Sequence, residues 1–187
     1  MPPGKLIVIA APSGSGKTTI AKEILKANPA LSFSVSATTR SRRADEVDGK
    51  DYFFLGEPEF KKRLAAGDFV EWEQLYGDHY GTLKSEVDRA RDSNKNLLFD
   101  VDVKGGLSIK KVYPDALLIF IRPPGIEALR TRLLKRQTED LVTVQKRLDR
   151  VPMELELGAQ FYHDVVNDDL EKAITEVQTL IDQHLKK

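Results

Sequence analysis

The chain has 187 residues, 29 lysines and arginines against 29 acids, and no cysteine. That length fits one well-filled core with small appendages better than two independent domains. Zero net charge offers no global attraction for a polyanion, and the missing thiols exclude disulfides and thiolate metal sites, so the chain is expected to lack nucleic-acid and membrane partners and to sit in a reducing compartment, the cytoplasm.

Residues 6–10, LIVIA, form a continuous apolar run rich in β-branched side chains, the habit of a strand buried on both faces of a parallel sheet. The run is too short for a signal peptide, and nothing later approaches the roughly 20 apolar residues of a spanning helix. A helix is expected over 18–27, with Ile20, Ala21, Ile24 and Leu25 on one side and Asn28-Pro29 closing it. Residues 32–94 have another texture: short strands at 33–36, 52–55, 69–72 and 79–82, with Gly77-Asp78 as a tight turn, read as a small sheet-rich insertion. Buried strands return at 96–101 and 116–121, each followed by a helical pattern, over 106–112 and over 126–135 with a stripe of Ile126, Leu129 and Leu133. Alternating strand and helix predicts a parallel α/β sheet. A charged helical insertion follows over about 135–158, and a packing helix over 170–185 carries Leu170, Ile174, Val177, Ile181 and Leu185.

The first chemistry lies between the first strand and its helix. Ala11-Pro12-Ser13-Gly14-Ser15-Gly16-Lys17-Thr18 matches Gly-x-x-x-x-Gly-Lys-Ser/Thr with alanine at the first position, followed by Thr19. Such a loop curls backbone N–H groups around phosphates, reaches the β- and γ-phosphates with its lysine, and offers a hydroxyl to Mg²⁺. The loop is read as the holder of a nucleoside polyphosphate. Arg40 and Arg43, three apart in a loop rich in hydroxyls, suit a phosphate gripped from two sides. Asp100 and Asp102 end a buried strand, where open α/β sheets bind ligands, although Asp102 could equally cap the next helix. His79, His163 and His184 lack metal-ligand spacing and are assigned to surface or packing, and Trp72, next to Glu71, is assigned to packing.

Eight segments in order, the glycine loop, SVSATTR, GKDYFF, FVEWEQLYGDHYGT, LFDVDVKG, IFIRPP, KRL and VVNDDL, resemble the guanylate kinase family over nearly the whole chain. The resemblance implies a P-loop NTPase fold, a three-layer α/β/α core with a parallel sheet, formed by 1–33, 95–125 and 159–187. It further implies a mixed sheet and helix region for the nucleoside monophosphate at 34–94 and a helical lid at 126–158. It implies that ATP phosphorylates GMP, with Mg²⁺, and that dGMP is accepted, in a monomer or homodimer serving purine metabolism.

Carried over position by position, the resemblance gives Arg40, Arg43, Tyr52 and Tyr80 the GMP phosphate, with Glu46 in the same acceptor set. Ser36, Glu71, Thr82 and Asp102 would read guanine, and Asp100 would lie beside the acceptor phosphate and the metal. Ser13, Gly14, Ser15, Gly16, Lys17, Thr18 and Thr19 would hold ATP, with Thr18 on the metal. Arg136 and Arg147 would close on the transferring phosphoryl group, assisted by Arg132. Asn167 would approach the adenine, or else cap the last helix. The free chain is expected to be open, with GMP drawing in 34–94 and ATP drawing in the lid.

The sequence departs from the family pattern at Ala11, at Asp78-His79, at Lys104, and at Lys135 and Gln137 around Arg136. Two alternatives stand beside the kinase reading. One is a binding module of the same fold, against which Lys17 and Thr18 argue; the other is a P-loop kinase for a different small phosphate acceptor, which has no need of the guanine-reading set.

Overall fold

A computed structural model of the chain describes residues 3–75, 77–135 and 141–186. In chain order the elements are β1 (Leu6–Ala10), α1 (Lys17–Ala27), β2 (Leu31–Phe33), β3 (Ala37–Thr38), β4 (Phe53–Phe54), α2 (Glu57–Ala65), β5 (Phe69–Leu75) and β6 (Asp78–Leu83). They continue with α3 (Lys84–Asp92), β7 (Asn96–Val101), α4 (Val103–Val112), β8 (Leu117–Arg122), α5 (Ile126–Lys135), α6 (Leu141–Gly158), β9 (His163–Val166) and α7 (Leu170–Leu185).

Five strands form the main sheet in the order β2-β7-β1-β8-β9, every pair parallel. β1 is central and wholly buried, as an apolar run without polar alternation requires. Its side chains divide by the strand's two-residue period: Ile7 and Ile9 pack with Ile20 and Ile24 of α1 and Val177 and Ile181 of α7. Leu6, Val8 and Ala10 pack on the opposite layer with Ile109 of α4 and Phe161. The result is helix, sheet, helix. β1 is flanked by β7 and β8, so the carboxyl ends of these three strands open onto one crevice.

The second sheet, β4-β3-β6-β5, is mixed, with β3 and β4 parallel and both β3-β6 and β5-β6 antiparallel. Its own small core stacks Phe60 of α2 on Phe69 with ring centroids 4.4 Å apart, beside Ala37 and Leu83. Burying Phe60, Phe69 and Leu83 contributes roughly 1.5–3 kcal/mol each, and Val70 of β5 ties the small sheet to the main core. The register shifts by one between Phe69 and Glu71. That bulge lets Phe69 face α2 while Glu71 and Glu73 face the crevice, the re-aiming that bulges provide.

Several expectations are corrected. The strand expected at 33–36 does not form: β2 ends at Phe33 in the main sheet, and residues 34–36 link it to β3, which begins at Ala37 in the small one. Asp78 belongs to β6, paired with Leu75, so the turn precedes it. Ile126 is exposed rather than part of a stripe, whereas Leu129 and Leu133 are buried. Trp72 is about half exposed, meeting the ring of His79 at 6.0 Å, and His79 is the buried packing residue. Among the described residues no helix is long and apolar enough to cross a membrane.

Candidate active site

The loop after β1 takes its shape from two glycines. Gly14 and Gly16 have φ of 87° and 88°, a region that side chains resist, while Ala11 is buried with ordinary backbone. Gly16 starts α1 with no side-chain cap, leaving the first amides of the helix for an anion. A Cβ at Gly16 would stand 2.4 Å from Asn167 Nδ2. Asn167 is buried and donates from Nδ2 to the Ser15 carbonyl at 2.7 Å; its own N–H donates to the Arg122 carbonyl, and its carbonyl accepts from Arg132. Asp169, not Asn167, caps α7. Arg147 of α6 donates to Ser13 Oγ at 2.8 Å, so a second element also reaches the loop.

Lys17 and Thr18, the first residues of α1, converge on the end of β7. Lys17 Nζ pairs with Asp100 and donates to the Val101 carbonyl at 2.7 Å, and Thr18 Oγ1 donates to Asp100 Oδ2 at 2.7 Å. A hydroxyl and a carboxylate are hard oxygen donors that suit Mg²⁺, an ion commonly held by one or two such ligands plus substrate phosphates and water. Among the described residues no group of three or more His, Cys, Asp or Glu gathers into a metal site, which accords with that sparse donor set.

Beyond Lys17 a cavity of about 250 Å³ is lined by Ser36, Tyr52, Glu71, Tyr80, Asp100 and Asp102. Arg40 stands at the Tyr52 face, 5.5 Å from the ring centroid, and both its terminal nitrogens bond Glu46, at 2.6 and 3.1 Å. Glu46 also accepts from the Arg43 backbone N–H, and Arg40 holds its carboxyl below the usual range. Glu46 therefore orients the arginines instead of facing the cavity. Thr82 is fully buried, its hydroxyl donating to Glu71 Oε1 at 2.6 Å. Burial pushes the Glu71 carboxyl up to about 7, against the pull of that hydrogen bond. Asp102 caps α4, accepting from the Gly105 N–H at 2.7 Å, and also lines the cavity.

A second cavity, about 240 Å³, lies over the glycine loop and is bordered by Arg147 and by three residues that sequence reasoning passed over, Glu73, Arg150 and Glu154. Glu73 borders both cavities. Its signal was its place two residues from Glu71 on a strand, and Arg147, Arg150 and Glu154 share a helix face by their spacing. A third cavity, about 420 Å³, gathers Gly14, Gly16, Thr19, Arg132 and Asn167 on the outer side of the loop. Arg43 is exposed near the acceptor loop, and Arg136 lies outside the described residues.

A glycine loop closing a central parallel strand, a lysine and threonine opening the helix after it, and a carboxylate from the adjacent strand define a P-loop nucleotide-binding protein with two clefts. The sequence profile described as guanylate kinase matches residues 3–184. The guanylate kinase of Salinibacter ruber is 50% identical with 99% of each chain covered, and that of Porphyromonas gingivalis is 47% identical over 98% of this chain and 99% of its own. The crystal structure of guanylate kinase from Anaplasma phagocytophilum superposes with a TM-score of 0.77 at 25% identity, over 100% of this chain and 89% of that one. The chain belongs to the guanylate kinase family.

Proposed function

We propose that the protein transfers the γ-phosphoryl group of ATP to GMP, giving ADP and GDP. The observation that carries this reading is that the glycine-loop cavity and the Glu71 cavity meet at Lys17, Asp102 and Glu73. Guanine presents N1–H and N2–H₂ donors beside an O6 acceptor, which Glu71 and Asp102 on one side and Ser36 on the other complement. Adenine would leave those carboxylates unpaired. Arg40, Arg43, Tyr52 and Tyr80 take the GMP phosphate, in exchange for the Arg40–Glu46 pair of the free protein. Lys17 and the loop amides take the donor phosphates, and Arg147, with Arg136 and Arg132, takes the transferring group. Thr18 and Asp100 are the residues that would hold Mg²⁺, which would supply charge neutralisation at the donor phosphates. The acceptor is a phosphate oxygen, ionised at neutral pH, so no strong base is needed and catalysis rests on alignment and charge. By the same reading dGMP is an acceptor, and the protein works in the cytoplasm, as a monomer or homodimer, in purine metabolism.

A coupled assay of ADP release tests the assignment: GMP gives turnover, dGMP turnover at lower efficiency, and AMP, UMP and CMP little. AMP used as well as GMP would overturn it. Transfer also requires water to be excluded, so 34–94 and 126–158 are expected to close on nucleotide. Small-angle scattering should show compaction with GMP plus a non-hydrolysable ATP analogue, and an unchanged radius would defeat the closure.

A further inference from the structure

Arg150 is the one basic group among the described residues that binds acidic side chains from three elements of the cleft wall. Its guanidinium lies 2.6 Å from Glu73 of β5, 3.4 Å from Asp102 at the cap of α4, and 3.4 Å from Glu154 of its own helix α6. Glu73 and Asp102 line the same two cavities, and burial, with Asp102 as neighbour, pushes the Glu73 carboxyl up to about 8. Two carboxylates on facing walls of one cleft repel each other unless a cation stands between them. Arg150 is that cation, and its fork, anchored on Glu73, fixes the direction in which the Asp102 carboxylate faces the guanine cavity.

We propose that Arg150 is a positioning residue for base recognition: anchored on Glu73, it holds the Asp102 carboxylate as an acceptor toward the guanine cavity and so ties α6 to the acceptor pocket. The proposal rests on the reading of Asp102 as a guanine contact. It assigns Glu73 a matching role as the anchor rather than a base contact, and it makes α6 report on the acceptor side through Arg150 and on the donor side through Arg147.

The test uses the full chain with three variants, Arg150→Gln, Arg150→Lys and the double variant Arg150→Gln/Glu73→Gln, and initial rates against GMP and against ATP. Arg150→Gln should raise KM for GMP about tenfold and leave KM for ATP within about twofold. Arg150→Lys, a compact cation that cannot fork between acceptors, should fall between it and the unmodified chain. The double variant should recover most of the loss, because Glu73→Gln removes the carboxylate that repels Asp102 once the cation between them is gone, and a merely structural role would make two lesions worse than one. An unchanged KM for GMP in Arg150→Gln, an equal rise in KM for ATP, or a double variant no better than Arg150→Gln would overturn the proposal. If Arg150→Gln does not fold, Arg150→Lys decides, and its KM for GMP must then rise while that for ATP does not. The unmodified chain separates the two claims: GMP-specific turnover there upholds the kinase reading whatever the variants do, and its absence defeats that reading and this proposal with it.

Discussion

Lys17→Ala is expected to lower kcat by about a hundredfold or more, equivalent to about 3 kcal/mol, in a protein that still folds. The fold survives because α1 is anchored by Ile20, Ala21 and Ile24, all buried, while Lys17 touches the core only through Asp100 and the Val101 carbonyl. The chemistry does not survive, because charge moving onto the leaving phosphate loses the ammonium that meets it. Purified variant and parent should give the same circular dichroism spectrum and differ in ADP release. Near-normal turnover would remove Lys17 from the mechanism.

The second large effect falls on base choice. Glu71→Ala removes the acceptor for the guanine donors and leaves the buried Thr82 hydroxyl without its partner, so kcat/KM for GMP should fall by about 2 kcal/mol or more, roughly thirtyfold, with ATP affinity barely changed. Loss of ATP binding to the same degree would point to unfolding. The carboxyl adds a pH signature. Since burial raises it to about 7, below that pH it is protonated and loses both its charge and one of its two acceptor oxygens, the other already accepting from Thr82; kcat/KM for GMP should therefore rise as pH increases through about 7. The GMP phosphate titrates near about 6 in any variant, so the diagnostic is the difference between parent and Glu71→Gln, which should lose the component at about 7. Superimposable profiles would deny Glu71 the role.

The parts of this fold that were legible in sequence are those whose signal is local. The five apolar residues of β1 read as a doubly buried strand, and the glycine loop read as a phosphate cradle because two positions demand backbone that glycine supplies cheaply. Strand β9, HDVV, went unread as a strand because only Val165 is buried and the pattern is too short to show a period. Helices α2 and α3 each bury a single large side chain, Phe60 and Val87, which leaves too narrow a stripe to detect. The boundary at 33–36 failed for another reason: Phe33 and Ala37, on either side of a short link, serve different sheets, a choice made by long-range pairing with β7 and β6.

The site divides in the same way. Lys17, Thr18, Asp100 and Glu71 announced themselves by motif, and the structure brings them to one crevice. Glu46 and Thr82 were legible as members of the acceptor region, but only geometry shows that each serves another side chain, Arg40 and Glu71. Glu73 and Arg150 are 77 positions apart and have no meaning separately. Their pairing exists only once β5 and α6 face each other across the cleft.

Asn167 carries a consequence for synthesis. Its amide supports the Ser15 carbonyl from 152 positions further along the chain, from the end of the edge strand of the main sheet. A nascent polypeptide emerges amino end first, so the glycine loop is translated long before the residue that braces it. An unfinished chain on the ribosome thus carries the loop's sequence without this support until 152 further positions have been added.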